Sequence, residues 1–163
     1  MMNDSSDVFQ IFSIWNSSRS PICSTVKDVM SVGVVSVSEN DSIDAMLLLF
    51  RRYHFHTYPV VSDRGELVGV IDQDIILEIL MSDRIPRLKY THLMAVRTLG
   101  KTARDVMIPH PVTISPDASL FDAADLMLKH HLNRICVVED GKLAGIISKL
   151  DIINEVYERR GPV

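Results

Sequence analysis

Apolar side chains recur at helical spacing in two stretches of the chain. Ile43, Met46, Leu47, Phe50 and His54 form one stripe; Leu120, Ala123, Ala124, Met127, Leu128 and His131 form the other. Spacing of i, i+3, i+4, i+7 sets one helical face against a core. Ser119 with Asp122 three residues on reads as a capping box opening the second of these helices. Each helix is preceded by a lead-in (Val26–Met30, Ala103–Met107) and a short apolar strand (Val34–Val37, Val112–Ile114). Each is followed by two more strands, Tyr58–Val61 with Leu67–Ile71, and Ile135–Val138 with Leu143–Ile147. Asp140-Gly141 between the last pair is a hairpin-turn signal, because glycine supplies the positive φ that a tight turn needs. A closing helix carries Ile75, Ile76, Ile79 and Leu80 in one case and Ile152, Ile153, Val156 and Tyr157 in the other.

The two series are one pattern written twice. Thr25, Asp28, Val29 and Met30 recur 77 positions later as Thr102, Asp105, Val106 and Met107. Leu67, Gly69 and Ile71 recur 76 positions later as Leu143, Gly145 and Ile147, and Asp74, Ile75, Ile76 and Glu78 return to 77 as Asp151, Ile152, Ile153 and Glu155. A repeat of this length is one supersecondary unit that cannot bury its apolar face alone. The expectation is a mixed α/β (α+β) fold of two β-α-β-β-α repeats related by a pseudo-twofold axis, with two related clefts between them. The chain divides into an N-terminal extension (1–24), a first repeat (25–82), a linker (83–101) broken by Pro86, and a second repeat (102–160).

Composition narrows the function. A 47% hydrophobic, 23% charged chain of 163 residues is ordinary for one globular core. A net charge of −4 leaves no electrostatic footprint for a nucleic acid polymer or an anionic membrane. Two cysteines, Cys23 and Cys136, make no disulfide framework; Cys136, inside Ile135–Val138, reads as a buried reduced thiol. No stretch approaches a membrane span, and Met1–Asp7 lacks the basic residues of a signal peptide, so the expected location is cytoplasmic. The apolar Val8–Trp15 stretch is expected to pack on its own fold or on a dimer partner.

The order of elements and the residues at their junctions resemble the CBS domain, named after cystathionine β-synthase. Val26-Lys27-Asp28-Val29-Met30 and Ala103-Arg104-Asp105-Val106-Met107 resemble its opening V-x-D-V-M. Tyr58-Pro59-Val60-Val61 and Ile135-Cys136-Val137-Val138 resemble its middle, and Gly145-Ile146-Ile147-Ser148-Lys149-Leu150-Asp151 its closing G-h-h-[ST]-x-x-D. The resemblance spans Thr25 to about Arg160. It implies a regulatory module that is not an enzyme and has no catalytic cofactor. The implied ligand is an adenosine nucleotide (AMP, ADP or ATP), with S-adenosylmethionine a lesser alternative. It also implies a homodimer that acts on an unidentified protein target; the chain's length suggests a stand-alone pair acting in trans.

By the same resemblance, Asp151 takes the ribose hydroxyls with Ser148 beside it, since an ionised carboxylate accepts from two adjacent O–H donors. Ser-x-x-Asp ahead of Ile152-Ile153 is also a helix N-terminal box, and the two roles can coexist. The resemblance assigns the base pocket to Thr25, Phe55, His56 and Thr57, with Ile146 of the closing motif alongside. Asn133 and Arg134 occupy the strand start where basic residues meet phosphates, and the planar guanidinium of Arg134 suits phosphate oxygens. A solvated strand-end charge is the competing reading of Arg134. The first repeat departs from the motif: Asp72-Gln73-Asp74 is one residue short and lacks Ser or Thr. One competent cleft around Asp151 and one degraded cleft are therefore expected.

Other chemistry finds less support. His54, His56, His130 and His131 fall near the ends of the long helices, without H-x-x-x-H or paired-cysteine spacing. No triad, paired-carboxylate or phosphate-loop pattern is present. Two alternatives stay open: a ligand-free dimerisation or interaction module, and a metal-responsive or hydrolytic protein on the same scaffold.

Overall fold

Serine, threonine and aspartate bracket the apolar runs and fix where the helices begin. The computed structural model describes residues 24–81 and 100–160; the extension before Ser24 (Val8–Trp15 and Cys23 included) and most of the expected linker lie outside the described residues. The first repeat contains α1 (Val26–Val29), β1 (Val37–Ser38), α2 (Ile43–Arg52), β2 (Thr57–Val61), β3 (Leu67–Asp72) and α3 (Gln73–Met81). The second contains α4 (Ala103–Val106), β4 (Ile108–Pro109), β5 (Thr113–Ile114), α5 (Leu120–Lys129), β6 (Arg134–Glu139), β7 (Lys142–Ser148) and α6 (Lys149–Arg160).

The expected strands and long helices are present with altered ends. Both lead-ins form single-turn helices, capped by boxes in which Asp28 and Asp105 accept from the backbone and hydroxyls of Thr25 and Thr102. The backbone N–H of Lys101 also donates to Asp105, the largest influence there, and these hydrogen bonds hold both carboxyls below their ordinary value. Ser119 and Asp122 form the expected box at α5. The long helices stop at Arg52 and Lys129, so His54 and His131 fall beyond the stripes assigned to them, His131 on left-handed backbone at φ 54°. The strands after the lead-ins pair only over two residues each, because residues 31–35 and 108–112 cross toward the opposite repeat.

Each repeat builds a small sheet, β1 parallel to β2 and β2 antiparallel to β3, and likewise β5, β6 and β7. The lead-ins are exchanged between the sheets. β4, from the second repeat, adds to β3 through Gly69↔Pro109 and Val70↔Ile108. Ser31, from the first, exchanges two backbone hydrogen bonds with Ile146 at 2.9 and 3.0 Å. Val26 and Lys27 donate to Ala118 and Pro116, as Ala103 and Arg104 donate to Asp41 and Glu39.

The cores follow the exchange. Ala103 and Val106 of α4 are buried with Val37, Met46, Tyr58, Val60, Ile71, Ile75 and Ile76 of the first repeat. Val26 of α1 is buried with Ile114, Leu120, Ala123, Met127, Ile135, Val137 and Ile147 of the second. Neither repeat closes its core without the other's lead-in. Gly69 and Gly145 are the crossing points. A β-carbon at Gly145 would stand 2.7 Å from the Met30 sulfur and 2.8 Å from the Ser31 carbonyl, and one at Gly69 would strike Met107 and the Ile108 carbonyl. Both repeats thus keep glycine where the methionine of the other lead-in lies across the strand. Cys136 is free and buried, its thiol pushed up to about 12 by burial.

Candidate functional site

The exchange leaves two clefts between the repeats, related by the pseudo-twofold axis. The smaller, of about 310 Å³, is lined by Ser31–Val35, Phe55 and Thr57 of the first repeat and by Arg134, Ile146, Ser148 and Asp151 of the second. The larger, of about 510 Å³, has the equivalent walls: residues 110–112 with Ile108, then Leu132 to Arg134, and Val70, Asp72 and Asp74 opposite.

The floor of the smaller cleft is the junction of β7 and α6. Asp151 Oδ2 accepts from the Ser148 backbone N–H at 2.7 Å and from its hydroxyl at 2.6 Å, while the Asp151 N–H donates to Ser148 Oγ at 3.2 Å. The helix N-terminal box is therefore present. It fixes the carboxylate by one oxygen only, and Oδ1 takes no protein hydrogen bond among the described residues. A fixed carboxylate with one uncommitted oxygen, on a residue that lines a cavity, is an acceptor in wait of a donor. Arg134 pairs across the β6–β7 ladder with Ser148, which sets its guanidinium stem on the same wall. The roof is Val32, Gly33 and Val34, with Phe55 39% exposed beside them.

Six of the nine residues assigned from sequence, Phe55, Thr57, Arg134, Ile146, Ser148 and Asp151, line this cleft. His56 and Asn133 line the larger one instead. There His56 Nδ1 lies 3.0 Å from Gln73 Oε1, and Lys149 Nζ reaches Asn133 Oδ1 at 3.4 Å in the equivalent place. Thr25 lines neither cleft. Its hydroxyl donates to Asp28 at 2.9 Å and its backbone bridges Ser119, so it is a helix cap in the far core. Residues 31–35 were missed as site residues, because Val34 and Val35 read as the start of a strand and residues 31–33 as its approach. Gly33, at φ 69°, was the signal that the run bends there.

The larger cleft shows why its carboxylates differ. α3 starts 76 residues before α6, and Gln73 and Lys149, their first residues, donate to the carbonyls of His56 and Asn133. Asp72 therefore stands where Ser148 stands, and accepts from the Ile75 N–H at 2.9 Å. The counterpart of Asp151 is Ile75, 2% exposed in the core. Asp74, which matches Asp151 in the sequence repeat, sits one residue earlier on its helix and points about 100° away at 3.6 residues per turn. Early in the two helices exposure agrees with the 76-residue offset: Leu77 and Ile153 are 59% and 60% exposed.

No group of three or more His, Cys, Asp or Glu side chains among the described residues could hold a metal ion. No described helix is long and apolar enough to cross a membrane.

Known proteins carry the same arrangement. The CBS domain protein YhcV of Bacillus subtilis is 31% identical over 131 residues, which are 79% of this chain and 83% of that protein. The crystal structure of CBSX2 in complex with AMP, a protein of Arabidopsis thaliana, superposes with a TM-score of 0.71 at 28% identity, over 84% of this chain and 98% of that one. The CBS domain pair of protein MJ0100, in complex with 5′-methylthioadenosine and S-adenosylmethionine, superposes at 0.66 with 22% identity, over 85% of this chain and 99% of that one. The CBS domain matches this chain twice, at residues 26–82 and 103–158. With two such matches laced together through their lead-ins, the chain belongs to the CBS domain family as a tandem pair.

Proposed function

We propose that this chain is a regulatory module that binds an adenosine nucleotide, AMP foremost, in the cleft around Asp151, and that it reports occupancy through a change of shape or of dimer contacts. The observation that carries the reading is the uncommitted oxygen of Asp151, a residue that lines the same cavity as Arg134. The carboxylate suits a pair of ribose hydroxyls, and the guanidinium suits a phosphate. Among the described residues the lining holds one arginine and no lysine, which matches a single phosphate better than the three of ATP. S-adenosylmethionine would set its sulfonium charge in the cleft that holds Arg134, an unfavourable pairing. The AMP complex of a 28% identical relative supports the choice.

The reading includes a homodimer. Leu77 and Leu80 on α3 and Leu150, Ile153 and Tyr157 on α6 are each about 60% exposed, an apolar surface that a second copy would cover. It also makes the module a cytoplasmic one, without catalytic activity of its own, acting on a separate protein. A ligand-free interaction module is the competing class. Titration with adenosine, AMP and ATP separates them: Arg134→Ala should weaken AMP far more than adenosine, and Asp74→Ala should weaken neither. A chain with no heat or thermal shift from any of the three would be the ligand-free module.

A further inference from the structure

We infer that Arg134 is a cation shared by the two clefts, so that Asp72 in the larger cleft sets how tightly the smaller cleft holds a phosphate. The inference rests on the nucleotide reading and adds its regulation. Arg134 lines both cavities, with Thr57 and Ile146 completing the common wall. Among the described residues no other arginine or lysine lines either cavity. Its counterpart in the first repeat is the uncharged Thr57, cross-strand neighbour of Asp72 as Arg134 is of Ser148. Arg134 makes no side-chain hydrogen bond or ion pair among the described residues, so nothing anchors the guanidinium to one side.

The charges on the two sides are unequal. Asp72 and Asp74 line the larger cleft, while Asp151 is the one carboxylate of the smaller among the described residues. Without ligand, the guanidinium is drawn toward the side with two carboxylates. A phosphate in the smaller cleft must draw it back, leaving Asp72 and Asp74 uncompensated. Two consequences follow from the one shared cation. Removing the Asp72 charge tightens phosphate binding across the wall without touching ribose or base contacts. A phosphate bound beside Asp151 leaves the larger cleft more hostile to a second phosphate, so the chain holds one phosphorylated ligand at a time.

The test is calorimetric titration of the full chain with AMP and with adenosine, as wild type, Asp72→Asn, Arg134→Gln and the double variant. Asparagine keeps the cap on the Ile75 N–H. Asp72→Ser, which carries the residue of the other repeat, is a second variant that keeps a cap. The expected result is AMP binding about fivefold tighter in the Asp72 variants, the lower end of couplings between sites. Adenosine affinity should not move, and the gain should vanish beside Arg134→Gln. Unchanged AMP affinity, an equal gain for adenosine, or a gain that survives without Arg134 overturns the shared cation and leaves the nucleotide reading standing. A wild-type chain that binds neither AMP nor adenosine overturns that reading, and this inference with it.

Discussion

Replacing Asp151 by alanine removes two things at once, and the fold supplies the control that separates them. Asp122 has the same place on α5, with Oδ2 accepting from the Ser119 N–H at 3.2 Å and its hydroxyl at 2.7 Å, and it lines neither cleft. Losing either box should cost about 1 kcal/mol. For a chain of this size that is a fall in Tm of about 2–4 °C. Only Asp151 is expected to hold a ribose, where a hydrogen bond to a charged group is worth about 1.5–3 kcal/mol, roughly ten- to a hundredfold in affinity. At a hundred times the wild-type Kd, AMP stabilises the fold by about 2.7 kcal/mol. The same concentration on Asp151→Ala should give only about 0.4–1.4 kcal/mol. Differential scanning calorimetry of both variants with and without AMP, alongside isothermal titration, reads both quantities. Equal losses of Tm without ligand, with AMP stabilisation kept by Asp122→Ala and lost by Asp151→Ala, is the expected result. If Asp151→Ala keeps AMP affinity within twofold of wild type, the carboxylate is a helix cap and nothing more.

Three further outcomes follow from the exchange, the exposed faces and the caps. Gly145→Ala should destabilise the pair by about 1–3 kcal/mol in urea unfolding, because the added methyl meets the Met30 sulfur and the Ser31 carbonyl; a neutral result would mean that the lead-in does not lie across β7. Sedimentation at high micromolar concentration should show a dimer that Leu77→Glu with Ile153→Glu dissociates; a clean wild-type monomer would contradict the reading of those faces. Asp28 and Asp105 have folded-state pKa values below their ordinary ones, so their stabilisation is complete above the unfolded value and is lost as pH falls through the lowered folded values, below about pH 4. Asp28→Asn with Asp105→Asn should therefore flatten the acid limb of a Tm-against-pH curve, and an unchanged limb would locate the acid sensitivity elsewhere.

Hydrophobic spacing made both long helices and both hairpins legible, since period and turn chemistry are local properties of the chain. What covers an apolar face is not local. Val26 and Val106 read as parts of their own repeats, yet each is buried in the other's core. The only trace of that exchange in the sequence was the pairing of Met30 and Met107 with glycines 76 residues apart, at Gly69 and Gly145. Six of the nine residues assigned from sequence fall on one cleft because the carboxylate, hydroxyl and guanidinium lie on two adjacent strands and the helix that follows. Thr25 was misplaced because the crossing lead-in carries it into a cap in the second core. His56 and Asn133 lie just ahead of the two strands, beside Thr57 and Arg134, which line both clefts, and fall on the larger one. The sharpest divergence is at Asp74. Identity with Asp151 was correct as an alignment and wrong as geometry, because one deleted residue ahead of a helix turns every later side chain by about 100°. Ile75 then takes the core-facing position that Asp151 uses to face its cleft. A repeat that has lost one residue at a helix start thus keeps its letters while backbone register moves them, and of the two matching aspartates Asp151 is the one boxed with a serine at its cleft.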